Sequence, residues 1–501
     1  MSRFRRSSAA VSTSAFPPEE QKQVDSFLAA IRAQLGLPPK HTELILQDHL
    51  SALTYYRIQG LSLSLAMARL APENLGDFYL TERKDWYPLD HAAKIYPLSM
   101  GQKRMTVFRL SGYLQEPVVP ALMQMALTYT MKRFPYFATT LKSGFFWHYL
   151  DSAMRRFVLR PETKLPCAVM RMNASDSPAL RVVYYQNRVS VEFFHILADG
   201  FGGSIFLRTL LGEYLRLLGY SIPAAQGLFS LSEPPEPKEW QDAFTIGDRS
   251  PSAHGFTDKR ALQLLGLPPF EKPNRVIHYN LSVSAFQSRA KDFGVTLTAL
   301  MMGYLMLACK EAATPEGSRP FHPSRKIQIQ LPVNMRRFYP SETLRNFSLY
   351  GSIRMHPDEI TSLAAILPSI SAQIQEAASK ARLDETMHLS RRLVRLLRFV
   401  PLIIKRPLAF LIFGALSDSV FTTTLSNIGP IKLPPEMAPH MKKFDFVLGP
   451  PITSRASCAM CSYEDNLVFT ITKNTALPTL EESLYRLLEK DGLSPYLEGS
   501  S

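Results

Sequence analysis

Apolar and polar side chains alternate from Val189 to Phe194: Val189, Val191 and Phe193 point one way, Ser190, Glu192 and Phe194 the other. A period of two predicts a strand. The pattern breaks at Ala198-Asp199-Gly200. It resumes with helical spacing behind Gly202, Gly203 and Ser204, with a stripe through Leu207, Leu210 and Leu211. Upstream, Val24, Phe27, Leu28, Ile31 and Leu35 predict a helix over 19–36, and a second helical pattern over 42–70 breaks near Gly60. The spacing then predicts a strand at 104–114, a helix at 118–133, a strand at 181–185 and a helix at 204–218 that stops before Gly219.

From Gly219 to Pro273 the pattern changes. Pro223, Pro234, Pro235, Pro237, Pro251, Pro268, Pro269 and Pro273 exclude long regular elements, which marks a connection, with one short helix expected at 261–265. Beyond it, strands are predicted at 275–282, 326–333, 346–355, 420–426, 444–448, 457–463 and 467–472, with helices at 284–293, 296–313, 360–381 and 480–489. Strands and helices mix in both halves, so an α/β (α+β) sandwich of two lobes is expected. The boundaries read as a disordered basic tail (1–18), an N-terminal helical extension (19–82), a first lobe (83–218), the proline-rich connection (219–273) and a second lobe (274–501).

Composition narrows the function. The chain of 501 residues is 46% hydrophobic and 20% charged, ordinary for a globular protein with two cores. Its net charge of +14 suits an anionic partner. The basic residues are scattered without interleaved aromatics, which argues against nucleic acid. Four cysteines point to a reducing, cytoplasmic compartment. Cys458 and Cys461 form a lone CxxC on a strand-like stretch, so no metal is expected there and buried thiols are. Met1–Ala15 is rich in Arg and Ser, has no acid and no apolar core, and reads as a tail rather than a signal or transit sequence. There is no dinucleotide glycine fingerprint, no P-loop and no Gly-x-Ser-x-Gly elbow.

The chemistry gathers where the strand of 189–194 ends. His195 suits proton transfer, because an imidazole titrates near 6.5 and the strand holds it in place. Asp199, four residues on, can brace the turn through a salt bridge, and Gly200 after it permits a positive φ. This His-x-x-x-Asp-Gly pattern resembles the active-site motif of the chloramphenicol acetyltransferase-like superfamily, which includes peptide-synthetase condensation domains. Three further stretches are similar, in order and rough spacing, to bacterial alcohol acetyltransferase-like members: Lys84–Leu98, Leu331–Ser352 and Thr424–Pro430. The resemblance covers about Asp85 to Leu497. Phe194 stands where condensation domains usually carry a second histidine, and the plant-type Asp-Phe-Gly-Trp-Gly signature is missing. The first departure favours free-standing acyltransferases over peptide-bond formation, and the second argues against the plant-type branch.

The resemblance implies two lobes with a tunnel between them, open at both faces. His195 would be the general base that deprotonates an alcohol or amine as it attacks a thioester, an effect of ~10²–10⁴-fold. Asp199 would pair with an arginine, Arg104 or Arg336, and hold the loop. Gly200, Gly202 and Gly203 would allow close approach of a ligand. Asn334 and Asn346 are candidates to donate to the thioester oxyanion or to hold the tunnel strand, and Arg336 to pair with Asp199 or a phosphate. No cofactor is implied; acyl-CoA or an acyl carrier protein brings the acyl group to a monomeric enzyme. A non-catalytic scaffold of the same fold is the alternative of another class. The apolar run Leu393–Leu416 is broken by Arg395, Arg398, Lys405 and Arg406 and kinked by Pro401 and Pro407, so it falls short of the ~20 residues of a span. Its first reading is a core helix pair lining an acyl pocket; the second is an interfacial helix that makes a peripheral membrane contact.

Overall fold

Proline opens the first two helices. α1 (Pro18–Ala33) starts behind Pro17 and α2 (Pro39–Ile58) behind Pro38, where a fixed φ suits a first turn whose N–H groups lack partners anyway. Gly60, at φ +81°, ends the run, and the Ser62 hydroxyl caps α3 (Leu63–Arg69). The computed structural model describes residues 13–80, 85–98, 100, 105–153, 155–170, 172, 178–225, 227–246, 259–267, 275–315, 322–416, 418–451 and 454–500, the side chains of 410–416, 418 and 500 excepted. Most of the predicted basic tail, and Arg104, lie outside them. The three helices pack on the first lobe: Val24, Ile31, Ile45 and Leu53 are fully buried. The Tyr56 hydroxyl donates to the Leu217 carbonyl at 2.6 Å, and Arg156 clasps Asp48 through two bonds of 2.6 and 2.7 Å.

The first lobe follows with β1 (Trp86–Pro88), β2 (Val107–Leu114), α4 (Pro120–Arg133), β3 (Thr139–Ser143), β4 (His148–Ser152), β5 (Leu159–Pro161), β6 (Leu180–Tyr185), β7 (Arg188–Phe194) and α5 (Gly200–Leu218). β7 alternates as expected. α5 begins at Gly200, four residues before the predicted start, because the Asp199 carboxylate caps it by accepting from Gly202 N at 3.2 Å. Gly219, at φ +106°, closes it.

The second half holds β8 (Arg275–Ser282), α6 (Val283–Asp292), α7 (Leu297–Ala313), β9 (Ile327–Asn334), β10 (Ser348–Met355), α8 (Leu363–Ala377), α9 (Lys380–Leu396), α10 (Leu402–Leu416), β11 (Thr423–Pro430), β12 (Met441–Leu448), β13 (Ala456–Tyr463), β14 (Asn466–Lys473), α11 (Thr479–Lys490) and β15 (Tyr496–Ser500). A seven-stranded sheet runs β10-β9-β11-β13-β14-β8-β15, a five-stranded sheet β12-β2-β7-β6-β5, and a small sheet β1-β4-β3.

Four expectations are corrected. The helix over 360–381 is two, because the Ser379 hydroxyl starts α9 by accepting from Arg382 N. No helix forms at 261–265: Ala261, Leu262 and Leu265 donate their N–H groups to Ser419, Lys326 and Ala312 instead of along their own chain. β12 belongs to the second half in sequence and to the first lobe in space, pairing antiparallel with β2 from Phe444–Gly112 to Leu448–Phe108. Leu393–Leu416 is a core helix pair only in part: Leu402, Lys405 and Ala409 are buried, but Leu396, Phe399 and Ile403 are exposed.

Candidate active site

His195 sits one residue past β7, and its N–H donates to the Thr106 carbonyl at 2.9 Å, so the neighbouring strand segment fixes its main chain. Its ring is sandwiched: Tyr96 stacks on it at 4.9 Å and Phe108 meets it edge-on at 5.1 Å. Nδ1 lies 2.8 Å from the Asn346 side-chain oxygen. The Asn346 amide nitrogen reaches two acceptors, the His195 carbonyl at 2.9 Å and the Asp90 carboxylate at 3.2 Å. That settles which end of the amide is which, since the reverse orientation would set an oxygen against two oxygens. Asn346 therefore accepts from His195, Nδ1 carries the proton, and Nε2 keeps its lone pair. Burial holds the imidazole below its ordinary 6.5, opposed by the bond to Asn346 and the charge of Asp199. At neutral pH the ring is an uncharged base.

Both Asp199 oxygens are committed. One caps α5; the other accepts from Arg336 Nη1 at 2.7 Å and from Phe347 N at 2.9 Å. Arg336, one of the two predicted arginines, thus meets Asp199, while Arg104 lies outside the described residues. Arg336 spends its remaining N–H groups on the Asn334 side-chain oxygen and the Thr343 and Arg345 carbonyls. All five donors are used, so Arg336 braces the loop and has none left for a phosphate. Asn334 caps the turn at Met335 and borders the cavity. Asn346 is buried behind His195, where its side chain orients the imidazole.

The glycines matter for space, not for φ. Gly200, Gly202 and Gly203 lie in the first turn of α5, and none has a positive φ. A Cβ on Gly202 would stand 2.0 Å from the Leu344 carbonyl oxygen, on Gly200 2.7 Å from Ile428 Cγ2, and on Gly203 3.0 Å from the Phe108 ring. Gly200 borders the cavity; Gly203 seats α5 on β2.

The cavity itself measures about 1810 Å³ and takes walls from both halves. Tyr96, Phe108 and His195 face it from the first; Leu331, Val333, Thr424, Ser426 and Asn427 from the second. Arg208 of α5 also lines it. Its guanidinium bonds to the Lys432 and Ser204 carbonyls, pairs with no carboxylate among the described residues, and is pulled down to about 10 by burial. Local spacing marks no role for three residues of the site. Asp90 and Tyr96 lie inside the Lys84–Leu98 stretch. Arg208 lies on the apolar helix after the motif. Asp90 is fully buried, accepts from Ala93 N at 2.7 Å and stands 3.4 Å from Arg345. Burial pushes its carboxyl up, while Arg345 opposes.

These two lobes, with the histidine at a strand end between them, define the α/β fold shared by condensation domains and chloramphenicol acetyltransferase-like acyltransferases. Among solved structures, the chain is similar to trichothecene 15-O-acetyltransferase from Fusarium sporotrichioides (TM-score 0.54, 11% identity, 81% of this chain and 94% of that one). It is also similar to the first condensation domain of the calcium-dependent antibiotic synthetase (0.52, 14%, 82% and 97%). A third likeness is to the starter condensation domain of rhizomide synthetase, solved with C8-CoA and Leu-SNAC (0.52, 13%, 82% and 94%). No protein-family model and no curated protein matches the chain, so the nearer likeness to bacterial alcohol acetyltransferases rests on the quoted stretches alone.

Proposed function

We propose that the protein is an acyltransferase that moves an acyl group from a thioester, acyl-CoA in the first place, to an alcohol or amine. One observation carries this reading: Asn346, held by Asp90, meets Nδ1 of His195 at a cavity between the lobes. Nε2 takes the proton of the acceptor hydroxyl as its oxygen bonds to the thioester carbon. The tetrahedral intermediate then collapses, the carbon–sulfur bond breaks, and Nε2–H returns the proton to the leaving thiolate. No covalent enzyme intermediate is needed. Asp199 and Arg336 hold the loop.

Arg208 and the net charge of +14 support an anionic donor. The starter condensation domain similar in fold was solved with C8-CoA, which favours CoA over a carrier protein. Four unpaired buried cysteines support a reducing setting.

A CoA-release assay over a panel of acyl-CoAs and alcohols tests the reading. Wild type should release CoA only when both substrates are present, and His195→Ala should lower kcat/KM by ~10²–10⁴-fold. Release from an acylated carrier but not from CoA moves the donor to the carrier. Equal rates for wild type and His195→Ala remove His195 as the base, and a wild type inert towards every donor leaves a binding scaffold.

A further inference from the structure

From Thr386 to Leu416 the chain carries six basic residues and no acidic one. It folds as the end of α9, a turn at Pro401 and α10. Around that turn apolar side chains face outward: Leu396, Phe399 and Ile403 are 70, 74 and 81% exposed. α10 turns Leu402, Lys405 and Ala409 inward, so packing fixes the outward stripe. A second segment completes it. At the tip of the β3–β4 hairpin Phe145 is 72% exposed, and Phe146 meets Phe399 edge-on at 6.3 Å. Leu402 N donates to the Phe145 carbonyl at 2.8 Å. Lys405 Nζ donates to the Phe146 carbonyl at 2.7 Å and lies 3.3 Å from the Trp147 ring centre. Two segments 259 positions apart are thereby locked into one apolar ridge.

Exposed Arg392, Arg395, Arg398 and Arg406 border the ridge. The nearest acid on α9, Glu385, is paired with Arg382, and the hairpin has none from Lys142 to His148. Apolar side chains this exposed, rimmed by cations and free of acids, mark an interaction surface. The charge pattern selects an anionic bilayer: aromatic and aliphatic groups enter the headgroup–acyl boundary while guanidinium groups meet lipid phosphates. The ridge also adjoins the cavity, because Thr386, Ser390 and Leu393 of α9 line it.

We propose that this ridge docks the protein peripherally on an anionic membrane surface, with α9 leading from the bilayer to the cavity. The substrate class that follows, resting on the acyl-transfer reading, is lipophilic: a long-chain alcohol, a long-chain acyl thioester or both.

Flotation of the full chain with phosphatidylcholine vesicles, with and without phosphatidylglycerol, reads the docking without any reaction. Wild type should float with the anionic vesicles and be released by salt. Phe399→Glu/Ile403→Glu should weaken binding by at least about tenfold, and each arginine replaced among Arg395 and Arg398 by about fivefold, with melting temperature unchanged because these side chains are exposed. Folded wild type that stays unbound with anionic vesicles overturns the proposal, as does equal binding by wild type and Phe399→Glu/Ile403→Glu. Were the double variant to lose only self-association seen in gel filtration, the ridge would be a contact between copies and the membrane assignment would fall. Failure of the CoA-release assay leaves the docking result standing, and the reverse.

Discussion

Asn346 decides which nitrogen of His195 carries the proton. Its amide is held by the His195 carbonyl and Asp90, so its oxygen faces Nδ1 and the lone pair is left on Nε2. Asn346→Ala frees the ring to rotate and change tautomer, and should lower kcat/KM by ~10²-fold, within the range a general base supplies. The wild-type acid limb of kcat/KM should lie below 6.5, because burial disfavours the imidazolium. In Asn346→Ala it should fall further, since the lost hydrogen bond favoured the protonated ring. A pH–rate profile measures both; a variant that loses rate with an unmoved acid limb would make Asn346 merely structural. His195 and Asp199 were legible in the sequence because one strand–turn–helix unit holds both. Asp90 and Asn346 were not, since the role of each exists only where chain positions 90, 195 and 346 meet. The motif glycines were legible as glycines but not for the right reason: the Leu344 carbonyl, far off in sequence, is what excludes a Cβ at Gly202.

The element that proline density marks as a connection is also a clamp. In it, Glu239 forms a double salt bridge to Arg133 of α4, both bonds 2.6 Å and both side chains buried. The Glu239 carbonyl accepts from Leu344 N at 2.6 Å. Leu344 in turn presses on Gly202 at the start of α5. The connection thus ties α4 to the loop that carries Arg345 and Asn346. Glu239→Ala would leave a buried guanidinium unpaired and should cost about 3–5 kcal/mol, measured by urea unfolding. Arg133→Met/Glu239→Leu should recover most of it, because breaking a buried pair costs more than replacing it. Here proline spacing showed where regular structure stops, but not where the freed main chain would find partners, nor that 261–265 would lend its N–H groups to neighbours instead of forming a helix.

At the scale of the whole molecule, the two lobes are not independent. β12 leaves the second half to edge the first lobe's sheet beside β2, and Phe444 and Phe446 join that lobe's core. Gly112 of β2 leaves room for the Phe444 ring, 3.1 Å from where a Cβ would stand. Residues 1–273 expressed alone would expose the β2 edge and the apolar face that β12 covers. They should be insoluble or lack cooperative melting, while co-expression with 274–501 should restore a folded complex. A soluble, cooperatively melting 1–273 fragment would show that β12 is dispensable.

Periodicity, capping residues and proline placement are properties of neighbours along the chain. By themselves they determined most elements, the strand–turn–helix with His195 and Asp199, and the two-halved α/β plan. The pairing of Asp199 with Arg336, the tautomer of His195, the crossing of β12 and the ridge joining Phe146 to Phe399 came only with the tertiary structure. Each depends on segments that have no local reason to meet: burial of two cores brings them together, and hydrogen-bond partners are chosen from what burial has left within reach.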